Sequence, residues 1–567
     1  MIKPSLQTYR LSNLKLALDH NSGALRAKII LLLEISNEEL VNLHVYRRGY
    51  DARNKSNIHF IYTLDLTFSE SVDIDKLLNK FKLQLTPDMT YRKVFSQKEG
   101  LSYTIRSGYK RPVVIGTGPC GLFAALTLAQ MGLCPLVLER GQAVRQRTKD
   151  TWGFWRNQKF KQESNVQFGE GGAGTFSDGK LWSQVKDPRH LGRKVMEEMV
   201  KGGAPKEILY VSKPHVGTFR LVKIVEYLRG EIERLGGEIR FSTRVEDILL
   251  EKGEIRGLHT LNLESEEKIE IEASQVILAI GHSARDTFEM LHTRGVFVEP
   301  KAFSIGFRIE HPQGVIDRAR FGDNDRFPGH PKKIVEHVGA ADYKLVHHAR
   351  NGRSVYSFCM CPGGTVVAAT SETGRVVTNG MSQYSRLERN ANAGIVVGIE
   401  PSDFGADAEN PLAGITFQRN LESSAFTLGG MSYFAPAQLV GDFLKGRASK
   451  TLGDVEPSYK PGVLLTDLTE GEVIPDYAIK AIQEALPEFG KKIKGFDRPD
   501  SLLTGVETRT SAPIRIRRCA ENHPDAFQSI NTRGLYPAGE GAGYAGGIMS
   551  AAMDGIKVAE ALARSYI

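Results

Sequence analysis

Residues Arg111–Gly141 carry the sequence RPVVIGTGPCGLFAALTLAQMGLCPLVLERG. A short apolar run is followed by a glycine-rich turn, an apolar helical stretch and a second short apolar run. Short apolar runs of this kind are typical of strands that are buried on both faces of a parallel sheet. The stretch therefore predicts a βαβ unit and an α/β fold.

The turn of this unit has the spacing G-x-G-x-x-G, with Gly116, Gly118 and Gly121. The first glycine permits a sharp turn, the second lets the backbone approach a pyrophosphate, and the third lets the helix pack closely on the strand. Glu139 ends the second strand, 18 residues after Gly121, where a carboxylate can bind ribose hydroxyls. The pattern predicts a dinucleotide site but does not separate NAD from FAD. Three neighbouring residues are assigned to the same site: Pro119, Cys120 and Arg140.

A second glycine-rich segment, GLYPAGEGAGYAGGIMSAAMDG, covers residues 534–555. It predicts a late strand followed by the final helix, which an extended flavin nucleotide needs for its ribitol and ring. Backbone N–H groups at the start of this helix would face the N1–C2=O edge of the ring, where negative charge gathers on reduction. We therefore predict FAD, bound non-covalently, with contacts from Gly539, Glu540, Gly546, Gly547 and Ile548.

Three further stretches are predicted to contact the cofactor. The loop in FGEGGAGTFSDGK is rich in small residues, the strand in STRVEDI could offer backbone groups to adenine, and the strand in ILAIGHSARD must turn beneath the cofactor. The residues assigned from these stretches are Gly172, Thr175, Ser177, Lys180, Val245 and Gly281.

The chain of 567 residues is too long for one hydrophobic core. We predict a discontinuous Rossmann-like FAD domain, an inserted α+β substrate domain and an N-terminal ferredoxin-like α+β module. The order of strands and helices in that module would be β-α-β-β-α-β, with its last strand near residues 91–96. The predicted ranges are 1–105 for the module, 106–300 and 501–567 for the FAD domain, and 301–500 for the insertion.

Composition narrows the class of protein. At 41% hydrophobic and 25% charged residues, the chain is predicted to be globular, with no run of about 20 apolar residues and no signal peptide at its start. Five cysteines do not suggest a disulfide framework, so we expect a cytoplasmic location. The net charge is +8, and residues 1–110 contribute 17 Lys or Arg against 11 Asp or Glu. This excess fits a solvated basic surface or an acidic partner such as RNA or an anionic surface.

The order of these motifs resembles the bacterial FAD-dependent dehydrogenase family, which shares the glutathione-reductase-like FAD fold. The resemblance is greatest to an uncharacterised branch with an added N-terminal domain, through VYRRGYDARNKS, FRIEHPQ, SFCMCPGGTVV and GVETRTSAPIR. It covers essentially the whole chain and implies FAD and the fold, but very little about the substrate. Most of the wider superfamily has Asp at the position of Glu540.

Candidate catalytic residues come from the predicted insertion and from the segment that follows it. Arg308 would clamp an anion and His311 would donate a proton near the ring, unless both belong to a surface ion-pair cluster. Cys359 and Cys361 lie in a C-x-C spacing, which on a strand puts both sulfurs on one face, as a redox pair or as packed core residues. Arg509 would bind a substrate carboxylate or phosphate, or pair with Glu507.

We therefore predict an FAD-dependent oxidoreductase that transfers hydride between flavin N5 and an organic substrate. No second G-x-G-x-x-G lies between residues 300 and 500, so NAD(P)H would bind only transiently, if it is the donor. One alternative is a geranylgeranyl-type C=C reductase, and another is a redox sensor without turnover. A further alternative is an RNA-binding or RNA-modifying flavoprotein with phosphate contacts from Arg47, Arg48, Arg53 and Lys55.

Overall fold

The computed structural model describes residues 7–106, 108–322, 332–405 and 409–567, so the first six residues of the predicted N-terminal module lie outside it. The N-terminal part folds into a four-stranded antiparallel sheet, and buried sheet residues such as Leu64 and Leu66 share one core with Ile29 and Leu33. The strand order is β2-β3-β1-β4, which is the order of a ferredoxin-like fold. Its elements are β1 (Thr8–Ala17), α1 (Ala24–Leu33), β2 (Leu40–Asp51), β3 (His59–Phe68), α2 (Ile74–Phe81) and β4 (Gln84–Leu85).

The last strand of this sheet is not where the sequence predicts it. Residues 91–96 form no strand, and they lead into helix α3 (Gln97–Thr104), which Ser96 and Glu99 start with a capping box. Phe95 is buried in the hydrophobic core of the following part of the chain, and Tyr91 packs against that core. The apolar residues of this stretch are therefore used for packing between the two parts of the chain.

The first half of the dinucleotide-binding part contains parallel strands covered by helices. β11, β5, β6 and β7 are neighbours in this order, and β8, β9 and β10 form a separate antiparallel sheet. The short, fully buried strands β5 and β6 explain the two apolar runs of Arg111–Gly141. The elements are β5 (Val113–Ile115), α4 (Pro119–Gln130), β6 (Leu136–Leu138), α5 (Val144–Asn157), α6 (Leu191–Lys201), α7 (Thr218–Arg234), β7 (Glu238–Arg240), β8 (Thr243–Glu251), β9 (Glu254–Asn262), β10 (Lys268–Glu272), β11 (Val276–Leu278) and α8 (Arg285–Thr293).

A seven-stranded sheet follows, in the order β14-β15-β18-β13-β21-β19-β20. Its central strand β13 is buried at every position except Pro312, because both of its neighbours and helices on the sheet cover it. The elements are β12 (Val298–Pro300), β13 (Phe303–Pro312), α9 (Gln313–Phe321), α10 (Lys332–Val338), β14 (Val346–His348), β15 (Ser354–Cys361), β16 (Gly364–Ala368), β17 (Thr378–Ser382), β18 (Asn390–Ile399), α11 (Ala413–Leu428), β19 (Ala435–Leu439), α12 (Val440–Phe443), β20 (Val463–Leu465), α13 (Asp476–Lys492) and β21 (Leu502–Glu507).

The end of the chain returns to the parallel sheet. The last elements are β22 (Ile514–Ile516), β23 (Leu535–Pro537) and α14 (Ile548–Arg564). β23 pairs with β11 in parallel, which completes the order β23-β11-β5-β6-β7, and α14 shares one hydrophobic core with α4. The parallel sheet therefore combines strands that precede the seven-stranded sheet in the chain with one strand, β23, that follows it. The sequence predicts this arrangement as a discontinuous Rossmann-like domain.

A helix that crosses a bilayer needs about 20 predominantly apolar residues. None of the helices within the four described ranges is long and apolar enough to do so.

Candidate functional site

The main cleft lies at the carboxyl ends of β5, β6 and β11, and the N-termini of α4 and α14 also reach it. It encloses about 1500 Å³ of space outside the protein atoms, including its open mouth. Strand order reverses between β5 and β11, and open α/β sheets bind ligands in the crevice at such a switch point. The position of the cleft therefore follows from the topology of the sheet.

The glycine turn between β5 and α4 forms one wall of the cleft. Gly116 has φ = +99°, and a Cβ on it would lie 2.4 Å from the Ala279 carbonyl oxygen. A Cβ on Gly121 would lie 1.9 Å from the Gly116 carbonyl oxygen, so helix and turn could not pack as they do. Gly118 caps α4 and has no such contact closer than 3.8 Å. The free N–H groups at this helix start face a space that suits an anion.

Glu139 lies beside this turn but is already bonded to the protein. Its Oε2 accepts hydrogen bonds from the backbone N–H and the hydroxyl of Thr117, at 2.9 and 2.6 Å. Its Oε1 accepts from the N–H groups of Gly141 and Gly169, at 2.8 and 3.0 Å. Four protein donors thus use the acceptor sites of this carboxylate, and its contact with a ribose stays a prediction.

The glycine-rich loop after α5 is fixed against the same turn. Gly171 donates its N–H to the Thr117 carbonyl oxygen at 2.9 Å, and a Cβ on Gly172 would lie 2.8 Å from the Cα of Gly118. Ser177 and Lys180, further along, line the cleft. Because the loop and the turn touch through bare backbone, a residue without a side chain is required at Gly172.

The N-terminus of α14 also borders the cleft. Gly547 caps the helix with φ = +93°, and no atom lies within 4 Å of where its Cβ would be. Its N–H lies beside the Glu540 carboxyl group. Burial raises the pKa of Glu540 to about 7, although Lys301 acts in the opposite direction. A carboxyl group that changes charge near neutral pH therefore lies next to the helix start.

Most residues that the sequence assigns to the cofactor line this cleft. Four do not: Gly121 and Gly539 pack against neighbouring backbone or Cys120, Gly546 bonds to Ser550, and Thr175 is buried behind the loop. The predicted residues along the cleft are Gly116, Gly118, Pro119, Cys120, Glu139, Arg140, Gly172, Ser177, Lys180, Val245, Gly281, Glu540, Gly547 and Ile548.

Arg509 reaches the cleft from a buried charge cluster. Its guanidinium binds both carboxylate oxygens of Glu422 at 3.0 Å and the Ser283 hydroxyl at 2.9 Å. Arg285 binds the same carboxylate, at 2.7 and 2.9 Å. Burial would raise the pKa of Glu422, but the two guanidiniums hold it well below its usual range. The predicted alternative that Arg509 pairs with Glu507 is wrong, because Glu422 on α11 is its partner.

Glu507 instead binds Arg308, which is fully buried and not part of a surface cluster. Arg308 donates to Glu507 at 2.6 Å and to Asn392 at 3.0 Å, behind the cleft wall. His311 is also buried, and its Nε2–H donates to the Phe496 carbonyl oxygen at 2.6 Å. Burial lowers the pKa of His311 to about 4. Neither residue lines the cleft, so the surface ion-pair interpretation is wrong and no contact with a ring is available to His311 here.

Cys359 lines the cleft, whereas Cys361 is buried behind it. Regular alternation along β15 predicts both sulfurs on one face, but the pairing with β18 shifts between Phe358 and Cys361. Cys359 has φ = +45°, so a β-bulge replaces the regular strand. The Cys361 Sγ lies 3.3 Å from the Cys359 carbonyl oxygen.

Several polar residues of the cleft were not singled out from the sequence. His282 and Ser283 directly follow the predicted turn at Gly281, which is the signal that could have identified them. Burial, followed by the charges of Arg509 and Arg285, lowers the pKa of His282 to about 3, so it is neutral at pH 7. Gln167 and Asp178 lie directly before and within FGEGGAGTFSDGK, and Arg244 lies within STRVEDI. Glycines and strand pattern are the main signals of these two motifs. The residues missed include Gln167, Asp178, Arg244, His282 and Ser283.

The cleft has the features that an extended dinucleotide requires. Two helix N-termini reach it, and Gly118, Gly281 and Gly547 present backbone with open space beside them. A Cβ at these three positions would project into that space or lie at ordinary contact distance. The residues present therefore fit a cofactor that is bound along its length by main-chain N–H groups.

Comparison with protein families finds three models that match different parts of the chain. Residues 110–304 match the model described as pyridine nucleotide-disulphide oxidoreductase. Residues 302–510 match the model described as FAD-dependent protein, C-terminal domain-like, and residues 8–67 match a domain of unknown function (DUF8436). The fold, the cleft and these matches define an FAD-dependent oxidoreductase, and the predictions of FAD and of a Rossmann-like α/β fold are confirmed.

A protein of Clostridium beijerinckii, which bears the name "Uncharacterized protein", is 46% identical over 559 residues. The match covers 98% of this chain and 99% of that protein. The chain therefore belongs to the same family, an uncharacterised family of FAD-dependent oxidoreductases.

Solved structures resemble the chain more distantly. An E. coli quinol fumarate reductase is 12% identical with a TM-score of 0.36, over 81% of this chain and 70% of that one. An L-proline dehydrogenase from P. horikoshii is 13% identical with a TM-score of 0.33, over 80% of this chain and 94% of that one. Both TM-scores are below 0.5.

Proposed function

We propose that the cleft holds FAD non-covalently in an extended conformation between two helix N-termini. The N-terminus of α4, capped by Gly118, would bind the pyrophosphate, and the N-terminus of α14, capped by Gly547, would face the ring. The observation that carries this proposal is that both caps line one cleft although 428 residues separate them in sequence. The FAD supplies hydride chemistry when bound, and the chain binds it, orients it and limits access of water.

The contacts with each part of the cofactor follow from this orientation. Glu139, Arg140 and Val245 line the cleft, and Glu163 binds both Arg140 and Arg244, the residue before Val245. This shared contact supports binding of the adenosine part beside these residues. Arg140 is itself fixed by Glu163 at 2.7 Å and by Asp286 at 2.8 Å, so it would act as a rigid wall. At the other end, Glu540 lies beside Gly547 at the start of α14, and Ser177 and Lys180 line the same cleft. These three side chains would surround the ring.

We further propose that residues 301–500 form the substrate domain and that a small organic molecule reacts at the ring end. Phe358, Cys359 and Asn379 of this range line the cleft together with Arg509 and Lys180. Cationic side chains at this end favour a substrate that carries a carboxylate or another anionic group. The electrons would come from the substrate or from a transiently bound NAD(P)H.

The basic N-terminal module is given no role in this proposal. Arg53 is paired with Asp51, and the Arg48 guanidinium stacks over Phe60 and Tyr210 at 5.0 and 5.3 Å from the ring centroids. These two cations thus have partners within the chain. The family matches favour neither an RNA partner nor an isoprenoid reductase, so neither is proposed.

The test begins with purified protein that is supplied with FAD and then desalted. We expect one FAD per chain, released intact on denaturation, with the visible absorbance of an oxidised flavin. Anaerobic mixing with NADH and NADPH, followed by a screen of anionic metabolites as oxidants or reductants, then identifies the donor and the substrate class. Protein that retains no flavin after this treatment would contradict the proposal.

A further inference from the structure

The bulge of β15 gives one cleft residue an unusual backbone conformation. Among the described residues that line the cleft, Cys359 is the only one other than glycine with a left-handed φ. Two residues, Cys359 and Met360, occupy the space of one between Phe358 and Cys361, which pair with Gly394 and Asn392 of β18. Left-handed conformations of side-chain-bearing residues persist where surrounding contacts enforce them, and they recur at functional sites.

Three polar groups enforce this conformation. The Arg308 guanidinium donates to the Cys359 carbonyl oxygen at 3.1 Å, and the Lys180 ammonium donates to the Met360 carbonyl oxygen. The Cys361 thiol lies against the same Cys359 carbonyl oxygen, at 3.3 Å. The bulge therefore fixes Cys359 in the cleft wall, with Cys361 directly behind it and two cations beside them.

The environments of the two sulfurs differ in a way that suits an attacking thiolate and a resolving thiol. A hydrogen bond from the Cys361 thiol lowers the pKa of Cys359 well below its ordinary value, and the charges of Lys180 and Arg308 act in the same direction against burial. The hydrogen bond to Cys359, followed by burial, raises the pKa of Cys361. Low-pKa cysteines next to cations and a second thiol are typical of redox sites.

Metal binding does not explain the pair. Within the part of the chain that the structure describes, no group of three or more His, Cys, Asp or Glu side chains could hold a metal ion. Both cysteines are free. Gly380 packs closely against Cys361, since a Cβ on Gly380 would lie 3.0 Å from the Cys361 sulfur. Simple core packing does not explain Cys359 either, because its side chain borders the cleft.

We propose that Cys359 and Cys361 form a reversible dithiol–disulfide couple that exchanges two electrons with the flavin in this cleft. The inference rests on the proposed function, because it requires the flavin ring at this end. In the oxidising direction, the Cys359 thiolate and the Cys361 thiol form one S–S bond and release two electrons and one proton. Oxidised FAD takes up these two electrons and one proton as the reduced anion, so atoms and charge balance, and the reverse reaction opens the disulfide.

The experiment uses the FAD-bound enzyme, first treated with a small-molecule disulfide and then desalted. Mass spectrometry after alkylation and digestion should find Cys359 linked to Cys361. Photochemical reduction of the bound flavin without oxygen should open this disulfide, and a dithionite titration should consume two two-electron equivalents per flavin. The variants C359S and C361S should consume one. C519S, which changes a partly exposed cysteine outside the cleft, should behave like the wild type.

The outcomes separate this inference from the proposed function. Wild-type enzyme that binds FAD, keeps both cysteines alkylatable after oxidation and consumes one equivalent would overturn the couple but not the FAD site. A disulfide that forms but survives flavin reduction would also overturn it. Absence of bound flavin would overturn the proposed function itself. If either serine variant does not fold, the disulfide mapping and the electron count of the wild type still decide.

Discussion

Gly555 of α14 lies directly against Cys120 of α4: a Cβ on Gly555 would be 2.2 Å from the Cys120 carbonyl oxygen. A Cβ on Gly539 would similarly lie 2.8 Å from the Cβ of Cys120. The last helix of the chain is thus held against the helix that follows the dinucleotide turn. This contact sets the distance between the two helix N-termini that reach the cleft.

Replacing Gly555 with Ala should therefore push α14 away from α4. Because the clash is with backbone, we expect a loss of about 1–3 kcal/mol in the free energy of unfolding, together with weaker FAD binding. Denaturant unfolding and an FAD titration measure both effects. Gly230→Ala is the matched control, since this exposed helical glycine of α7 has open space around it and should gain about 0.5–1 kcal/mol. Equal behaviour of the two variants would contradict the packing argument.

The cap of α14 gives a second prediction. Gly547→Ala meets no neighbouring atom, but its φ of +93° strains any L side chain, so we expect a loss of about 1–3 kcal/mol divided between stability and FAD affinity. Gly546→Ala, with equal space and no left-handed φ, should change both by less than about 0.5 kcal/mol. Thermal unfolding with and without FAD separates the two contributions. A normal FAD affinity and stability in Gly547→Ala would count against the role of this cap.

Glu540 predicts a pH dependence of stability. Its pKa is raised from 4.5 to about 7 in the folded protein, so the folded state binds the proton more tightly than the unfolded state. This contribution is fully present below about pH 4.5 and is lost as the pH rises to about 7, and it amounts to at most about 3 kcal/mol.

The check for Glu540 is the free energy of unfolding of flavin-free protein between pH 4.5 and 8. The difference between wild type and Glu540→Gln isolates this group, because buried histidines such as His311 contribute with the opposite sign in both proteins. A difference that does not change with pH would show that Glu540 titrates normally.

The Arg285–Glu422–Arg509 cluster predicts a large effect of neutralising its acid. Glu422→Gln removes the negative charge that pairs with both buried guanidiniums. We therefore expect a loss of about 3–5 kcal/mol in the free energy of unfolding. Glu226→Gln removes an acid of an exposed pair with Arg145 and should have little effect. Urea unfolding of the three proteins tests this, and a small change in Glu422→Gln would show that the cluster is compensated from elsewhere.

The cofactor-binding half of the fold could be predicted because its signals are local. The glycine turn, the two buried strands and the start of the last helix each depend on residues within a few positions of one another. The last strand of the N-terminal sheet could not be placed from the sequence, because the apolar residue Phe95 packs in the core of the following part of the chain. A hydrophobic pattern predicts that residues are buried, but it does not predict which neighbouring element they pack against.

The polar part of the site was harder to predict because its partners are distant in sequence. Arg509 lies two residues from Glu507, yet it binds Glu422, 87 residues away. The bulge at Cys359 depends on Arg308 and Lys180, which belong to a different strand and to the glycine-rich loop. Regular alternation is the default for a strand, and a single sequence gives no sign of contacts that interrupt it.

The seven-stranded sheet has a consequence for the length of its loops. β13, its first long strand, and β21, its last, are direct antiparallel neighbours. The polypeptide thus departs from the flavin half and rejoins it at a single shared seam. Loops between these two strands can therefore change in length without separating the two points at which the sheet is joined to the nucleotide-binding half.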